Sequence, residues 1–139
     1  MKKKVFLGGT CNNSSWREDL IPMLKINHFN PVVDDWTEEC MKEEIKQRQI
    51  CDFCLYVITP KMAGVYSIAE VVDDSNKRPE KTLFLNLYDN DEQFPHLNEY
   101  KQMAHSLKAV ENLLKENGVK VFDTLEDTAE FLNLAANVE

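Results

Sequence analysis

The sequence predicts a three-layer α/β sandwich, in which a parallel sheet of five strands is covered by helices on both faces. Short apolar runs alternate with longer segments of helical pattern, in the order β-α-β-α-β-α-β-α-β-α. Strands that alternate with helices in this way pair in parallel, because each helix crosses over the sheet between two strands. The run at residues 55–58 is apolar throughout, as expected of a central strand. The length of 139 residues is that of one domain, which we assign to residues 1–139.

Each predicted strand is a short apolar run that ends at glycine, proline or polar residues. The first run ends at Gly8 and Gly9, and the third ends at Thr59 and Pro60. Apolar runs bounded by turn-forming residues are typical of strands. The five predicted strands occupy residues 4–7, 29–33, 49–58, 81–87 and 119–122.

The predicted helices are marked by capping residues and by apolar residues three and four positions apart. Thr37 and Thr124 each precede a helix as an N-cap, and Glu38 and Glu39 favour the positive end of the helix dipole. Pro22 falls inside the first helix and predicts a kink there. The five predicted helices occupy residues 16–25, 37–48, 67–74, 99–117 and 124–136.

Charge and hydropathy exclude two classes of partner. The net charge of −8 opposes binding to a nucleic-acid backbone, which requires clustered lysine and arginine. No apolar run approaches the roughly 18 residues that cross a bilayer, and the N-terminus lacks the apolar segment of a secretory signal. We therefore expect a cytoplasmic protein that binds neither a nucleic-acid polymer nor a membrane.

Cys51 and Cys54 form a CxxC pair, a spacing that in other proteins marks zinc or redox sites. Here the pair lies at the entry to an apolar strand, where residues three apart point to opposite faces. There is no second CxxC, and the three histidines are scattered along the chain. We expect both cysteines to be small buried hydrophobic residues, and we expect no metal ion and no cofactor.

The segment from Gly64 to Glu70 carries the strongest candidate for a reactive group. An apolar strand ends, a glycine turn follows, and a helix begins with a carboxylate in its first turns. Ligands of open α/β sheets bind beyond the carboxyl ends of the strands, and a helix N-terminus favours a charged carboxylate. Tyr66 and Ser67 add hydroxyl groups that can orient the carboxylate or bind a sugar. We predict that Glu70 is the reactive group.

The glycine turn after the first strand is a second candidate part of the site. Glycines let a ligand approach the backbone, and the following helix can present free N–H groups. The turn matches neither the dinucleotide-binding pattern GxGxxG nor the phosphate-binding pattern GxxxxGK[ST], and a tight turn without a ligand remains an alternative. The candidate ligand-binding residues here are Gly8, Gly9, Thr10, Asn12, Trp16 and Arg17.

The turn after the second strand reaches the same edge of the predicted sheet. There Asp34 can bind sugar hydroxyls and Trp36 can stack on a base, although an ordinary turn with a helix cap is an equal alternative. Glu44 lies within the next helix, where a solvated face is the simpler interpretation.

Four motifs together point to a known family. The chain carries Phe-Leu-Gly-Gly-Thr at residues 6–10, Trp-Arg at 16–17, Asp-Asp-Trp at 34–36 and Gly-Val-Tyr-Ser-Ile-Ala-Glu at 64–70. With this combination, residues 5–85 resemble the nucleoside 2-deoxyribosyltransferase-like family, and especially a small branch of it. The match covers more than half of the chain.

The resemblance implies a flavodoxin-like fold and an enzyme that cleaves an N-glycosidic bond. In well-known members of the family a glutamate attacks the anomeric carbon of a 2′-deoxynucleoside, the base leaves, and a second base accepts the sugar. The nucleophile falls on Glu70, the acid that protonates the leaving base falls near Glu44, and the sugar-binding end of the first strand falls on residues 8–10. Those enzymes are homo-oligomers, so a homo-oligomer is implied as well.

Three places depart from the family pattern. The aspartate that binds sugar hydroxyls ahead of the nucleophile falls on Gly64, and the first-strand aromatic residue that contacts the sugar is replaced by Gly8 and Gly9. After the nucleophile, Val71 and Val72 stand where the family has a glycine and an alanine. Sugar recognition must therefore differ, and Asp34, Asn12 or Arg17 can take part in it. Either water or a second base can take the sugar, which leaves hydrolase and transferase activities both open.

Two other functions also remain open. The glycine at position 64 favours a nucleotide- or ADP-ribose-binding module without turnover, in which Arg17 and the N–H groups after Gly9 hold a phosphate. A protein-interaction adaptor would instead use the acidic segment 88–98 as its contact surface.

Overall fold

The structure is a computed structural model that describes residues 2–11, 14–88 and 100–137. The strands in these ranges are β1 (Lys4–Gly9), β2 (Asn27–Phe29), β3 (Phe53–Ile58), β4 (Thr82–Asn86) and β5 (Lys120–Phe122). They pair in parallel as one sheet in the order β2-β1-β3-β4-β5, which is the strand order of flavodoxin-like folds. The predicted parallel sheet of five strands is confirmed.

The helices of the described ranges are α1 (Trp16–Leu20), α2 (Glu38–Ile50), α3 (Tyr66–Lys77), α4 (Tyr100–Glu116) and α5 (Leu125–Ala136). The Thr37 hydroxyl accepts a hydrogen bond from the Cys40 N–H at 3.2 Å, and Thr124 caps α5 in the same way, so both predicted caps are confirmed. The first helix is shorter than predicted. It ends at Leu20 and continues as a 3₁₀ turn over Ile21–Met23, because Pro22 has no N–H to extend the α-helix.

The sheet separates two apolar layers, because neighbouring residues of a strand point to opposite faces. One layer packs against α1 and α5, where Trp16, Leu20 and Leu132 are buried. The other packs against α3 and α4 through Val71 and Leu107. The strands contribute Val5, Leu7, Leu55, Val57, Leu83 and Leu85 to the first layer, and Phe6, Cys54, Tyr56, Ile58 and Phe84 to the second.

Two predicted strands differ from the structure by several residues. The strand predicted at residues 29–33 instead spans Asn27–Phe29, and it ends there because the Asn30 side chain accepts a hydrogen bond from the Val32 N–H and Pro31 has no N–H for a ladder. The strand predicted from residue 49 begins at Phe53, because α2 continues through Ile50. The chain between β2 and α2 is therefore a loop, which lies beside the cleft described below.

The two CxxC cysteines are both buried, as predicted. Neither forms a disulfide. The prediction that the two cysteines lie on opposite faces of a strand is wrong, because Cys51 follows α2 and lies outside β3. Both side chains enter the same core layer. The Cys54 thiol donates to the Arg48 carbonyl at 3.2 Å. Among the described residues, no cluster of three or more His, Cys, Asp or Glu side chains is arranged to hold a metal ion.

Several expectations concern residues outside the described ranges. The acidic segment 88–98 lies there apart from Tyr88, as does the predicted helix start at residue 99, so the adaptor function stays a prediction. In the part of the chain that the structure describes, no helix is long and apolar enough to span a membrane.

Gly9 ends β1 in a conformation that favours glycine. Its φ is +118°, and a Cβ atom at this position would lie 2.0 Å from the Val57 carbonyl oxygen. The next residue, Thr10, donates its N–H to that same oxygen at 2.9 Å. The close approach of β1 to β3 at this edge therefore requires a residue without a side chain.

We expect Gly9→Ala to destabilise the protein by roughly 2–4 kcal/mol, because it adds both a backbone strain and a clash with β3. Urea unfolding monitored by circular dichroism measures the change. Gly64→Ala is the matched control: a Cβ atom at Gly64 meets no atom within 4 Å, so its stability should stay close to that of the wild-type protein. Equal stabilities of the two variants would contradict the assignment.

Candidate functional site

A cleft of about 390 Å³ opens at the carboxyl end of β1, where the strand order reverses direction between β1 and β3. The end of β1 forms its floor. The loop between β2 and α2 forms one wall, and α2 and the start of α3 form the other. The lining residues are Gly8, Gly9, Cys11, Arg17, Pro31, Val32, Val33, Trp36, Glu44, Tyr66, Ser67 and Glu70.

Glu70 lies in the second turn of α3 and is only 6% exposed. Its carboxyl group faces two side chains of α2, Glu44 and Arg48, which share one face of that helix because they are four residues apart. The Arg48 Nη1 atom lies 3.8 Å from Glu70 Oε2. The structure thus brings Glu70 and Glu44, which are far apart in sequence, together in one cleft.

The surroundings of Glu70 oppose its ionisation. Burial, the hydrogen bond to the Glu44 carboxyl group and the negative charge of Glu44 raise the pKa of Glu70 from 4.5 to about 8, although the positive charge of Arg48 lowers it. Glu70 therefore holds its proton near neutral pH, beside the Glu44 carboxyl group. Such a pair can offer a nucleophile and an acid within one site.

A buried ion network lies behind Glu70, and sequence reasoning missed it. The Asp74 carboxylate is fully buried and accepts hydrogen bonds from Arg48, from Arg78 and from the Tyr56 hydroxyl. The sequence did carry one signal for this network. Arg48 follows Glu44 by four residues, and Asp74 follows Glu70 by four residues. The two charged side chains of each pair therefore lie on one face of their helix.

Arg17 lines the cleft but is bound mainly to the backbone. Its guanidinium donates to the Leu7 carbonyl at 3.1 and 2.9 Å and to the Thr10 carbonyl at 2.7 Å. Burial lowers the pKa of Arg17 below its ordinary value. Arg17 therefore fixes the shape of the glycine turn, with most of its donors already engaged.

Trp16 is not a ligand-binding residue in this structure. It is 2% exposed, packs in the core layer of α1 and α5, and donates its Nε1–H to the Thr10 carbonyl at 2.8 Å. The ring of this candidate ligand-binding residue lies on the buried face of α1 and does not line the cleft. The exposed tryptophan at the cleft is Trp36, which is 59% exposed and lies beside Val32 and Val33.

The hydroxyl groups of Tyr66 and Ser67 reach the cleft, but they do not hold Glu70. Among the described residues no hydrogen bond joins either hydroxyl to the Glu70 carboxyl group, and Tyr66 is 65% exposed. Glu44 and Arg48 occupy the place that the sequence analysis gave to these hydroxyls. Tyr66 and Ser67 remain available to a ligand in the cleft.

The other predicted site residues lie around the cleft. Thr10 and Gly64 line a smaller adjoining hollow of about 120 Å³, and the Thr10 hydroxyl accepts the Thr59 N–H at 3.0 Å. Asp34 is exposed and does not line the cleft, because the chain has left β2 five residues earlier. Asn12 lies outside the described residues.

A sequence model of a family described as nucleoside 2-deoxyribosyltransferase like matches residues 2–82, which is more than half of the chain. The protein belongs to this family. The match spans β1 to the start of β4 and so includes every residue that lines the cleft. The family resemblance in the four motifs is thereby confirmed.

One solved structure supports the fold of this nucleoside 2-deoxyribosyltransferase-like protein over its whole length. A crystal structure of a conserved protein from Enterococcus faecalis V583 superposes with a TM-score of 0.56 at 16% sequence identity, covering 97% of this chain and 99% of that chain. At this identity the likeness concerns the fold alone. A comparison with curated proteins gives no match.

We expect Glu70→Gln to stabilise the protein more at pH 9 than at pH 5. The pKa of Glu70 is raised in the folded state, so its favourable contribution is complete below pH 4.5 and is lost as the pH rises through about 8. Glutamine does not ionise, so the variant avoids this loss of stability. The difference in the free energy of unfolding between the variant and the wild-type protein should therefore grow by roughly 1–3 kcal/mol from pH 5 to pH 9. Urea unfolding at both pH values measures it.

The control for this experiment is Glu80→Gln, which replaces an exposed glutamate. It measures what the loss of a surface carboxyl group does at each pH. A Glu70→Gln variant whose effect on the free energy of unfolding is the same at pH 5 and pH 9 would contradict a raised pKa at Glu70.

Proposed function

We propose that the protein cleaves the N-glycosidic bond of a nucleoside, deoxynucleoside or nucleotide, with Glu70 as the nucleophile. The observation that carries the proposal is the pair of carboxyl groups from Glu70 and Glu44, which lies in the cleft opposite an exposed tryptophan. Two carboxyl groups in one site are the usual means of glycosidic cleavage. Membership of a nucleoside 2-deoxyribosyltransferase-like family supports the same chemistry.

In the first step the Glu70 carboxylate attacks the anomeric carbon of the sugar. A bond forms between a Glu70 oxygen and this carbon, while the bond from the carbon to the base nitrogen breaks and its electron pair goes to the base. Glu44 gives the one proton of the pair to the base, so that the base leaves as a neutral molecule. A covalent glycosyl ester on Glu70 remains, with Glu44 ionised.

In the second step an acceptor releases the sugar from Glu70. Water, or the N–H of a second base, attacks the anomeric carbon and gives its proton to Glu44, and the bond to the Glu70 oxygen breaks. The carboxyl pair then holds one proton again. A hydrolase and a transferase differ only in this acceptor.

The walls of the cleft suit a nucleoside. Val32, Val33 and Trp36 form an apolar and aromatic wall, and stacking of a base on an aromatic ring contributes about 1–3 kcal/mol. Tyr66 and Ser67 offer hydroxyl groups to the sugar on the opposite wall. The base therefore fits between Trp36 and Glu44, with the sugar toward Glu70.

A binding module without turnover is the second candidate function. Gly64 has open space in place of the aspartate that well-known members use to hold the sugar, and this favours a ligand held in another way. Arg17 has most of its donors engaged by carbonyls, so a phosphate there would depend mainly on backbone N–H groups. Tight binding of a nucleotide without release of its base would favour this candidate.

We expect Glu70→Ala to lower the rate of base release by at least about a thousandfold, because the covalent step loses its nucleophile. Purified protein is incubated with a panel of nucleosides and nucleotides, with and without a second free base, and released bases are separated by chromatography. A new nucleoside in the two-base mixture identifies a transferase.

Glu43→Gln is the matched control for these reactions, since Glu43 lies beside Glu44 on α2 but does not line the cleft. It should keep the wild-type rate, and circular dichroism should show that both variants are folded. A folded Glu70→Ala variant with the wild-type rate would exclude Glu70 as the nucleophile.

We expect the rate of base release to fall as the pH rises through about 8. The active form of the carboxyl pair holds one proton, and this proton is lost with the raised pKa of Glu70. Glu44→Gln removes the acid, so the rate should drop by roughly 10²–10⁴-fold and the alkaline decline should disappear. The kcat/KM of both proteins, measured from pH 5 to pH 10 on the best substrate of the panel, tests this, because its pH dependence reports the pKa values of the free protein. An unchanged alkaline decline in the variant would exclude Glu44 as the acid.

A further inference from the structure

We propose that Arg48, clamped by Asp74, is a positioning residue that holds the Glu70 carboxyl group and supplies the positive charge that its ionised form requires. The role of Glu70 as nucleophile is taken from the proposed function. The contact between Arg48 and Glu70 does not depend on it, and can be measured without a substrate.

The clamp is a two-pronged ion pair between α2 and α3. Arg48 donates from Nε to one oxygen of Asp74 at 3.3 Å and from Nη2 to the other at 3.0 Å. Paired hydrogen bonds of this kind fix the plane of a guanidinium group. Asp74 is itself immobilised, because it is fully buried and also accepts from the Tyr56 hydroxyl and from Arg78.

The clamp determines where the rest of the Arg48 guanidinium lies. With Nε and Nη2 bound to Asp74, the Nη1 atom lies 3.8 Å from Glu70 Oε2, within the range of an ion pair. Nη2 also lies 3.5 Å from the Glu70 carbonyl oxygen and 3.0 Å from an oxygen of Asp73. Arg48 therefore contacts both the side chain and the backbone of Glu70, although it does not line the cleft.

The charged groups around Glu70 show why this contact matters. From α2 it faces Glu44, and from α3 it faces Asp74, and both oppose its ionisation. Arg17, the arginine that lines the cleft, donates to the carbonyls of β1 and of the turn after it. Among the described residues, Arg48 is the group that favours the charged form of Glu70.

In the proposed reaction Glu70 is ionised when it attacks the sugar and again when the sugar leaves. Arg48 stabilises the carboxylate at both points, and the clamp prevents it from pairing with Glu44 instead. A role of this kind lowers kcat when it is lost and leaves KM nearly unchanged, because Arg48 does not touch the ligand space.

The test follows the titration of Glu70 by nuclear magnetic resonance in protein labelled with ¹³C at the glutamate carboxyl groups, with the Glu70 signal assigned by its loss in Glu70→Gln. In Arg48→Met the pKa of Glu70 should rise by roughly 1 unit or more, because an opposite charge within about 4–6 Å is removed. Arg48→Lys keeps a positive charge but cannot make the paired hydrogen bonds to Asp74, so it should give a smaller rise in the pKa of Glu70. A folded Arg48→Met variant with the Glu70 titration of the wild-type protein would overturn the proposal.

A second measurement serves in case Arg48→Met fails to fold. In the wild-type protein labelled with ¹⁵N at arginine, the guanidinium signals of Arg48 should shift with the same midpoint as the Glu70 titration, and this shift should be absent in Glu70→Gln. Arg48 signals that do not respond to Glu70 would overturn the proposal without any Arg48 variant.

The outcomes separate this inference from the proposed function. If the Arg48 signals follow the titration of Glu70 but no substrate of the panel is cleaved, the proposed function fails and the contact between Arg48 and Glu70 is confirmed. If base release depends on Glu70 but the pKa of Glu70 is the same in the wild-type protein and in Arg48→Met, only the inference about Arg48 fails.

Discussion

The buried ion pair between Arg48 and Asp74 is the contact on which the geometry of the cleft depends. Within α2 only Gln47 and Arg48 are buried, whereas Met41 and Ile45 are exposed, so this helix has little apolar attachment to the core. The clamp to Asp74 is what joins α2 to α3 beside the sheet. Because Glu44 lies one turn before Arg48, the same clamp also sets the position of Glu44 against Glu70.

A buried ion pair of this kind contributes more to the relative position of the two helices than to the free energy of unfolding. A buried ion pair contributes little net free energy relative to apolar residues of the same volume, but loss of one partner costs about 3–5 kcal/mol, because the other charge is left buried and unpaired. Asp74 has three donors in Arg48, Arg78 and Tyr56, which together replace the water that it has lost. The paired hydrogen bonds between Arg48 and Asp74 also have a defined geometry, which orients α2 against α3 at this point.

The sequence predicted the sheet, both threonine caps and the position of Glu70, because each of these depends on a local pattern. It failed where the outcome depends on contacts between distant segments. Arg48 was counted only as the end of a charged helix, since nothing near it in the chain shows that Asp74 lies opposite. Trp16 was named as a ligand-binding candidate because it follows the glycine turn closely in the chain, but in the structure its side chain packs into the core.

The stability of the fold and the chemistry of the cleft make opposing demands on Glu70. Burial next to Glu44 makes the charged form of Glu70 unfavourable, so at alkaline pH the folded protein would be more stable without this carboxyl group. A buried group with a shifted pKa in a cleft is a candidate for reactivity. Arg48 and Glu44 act on Glu70 in opposite directions and belong to one helix. A small displacement of α2 therefore changes both effects at once. In the reaction proposed above, this coupling would let one movement of α2 adjust both the acid at Glu44 and the charge at Glu70.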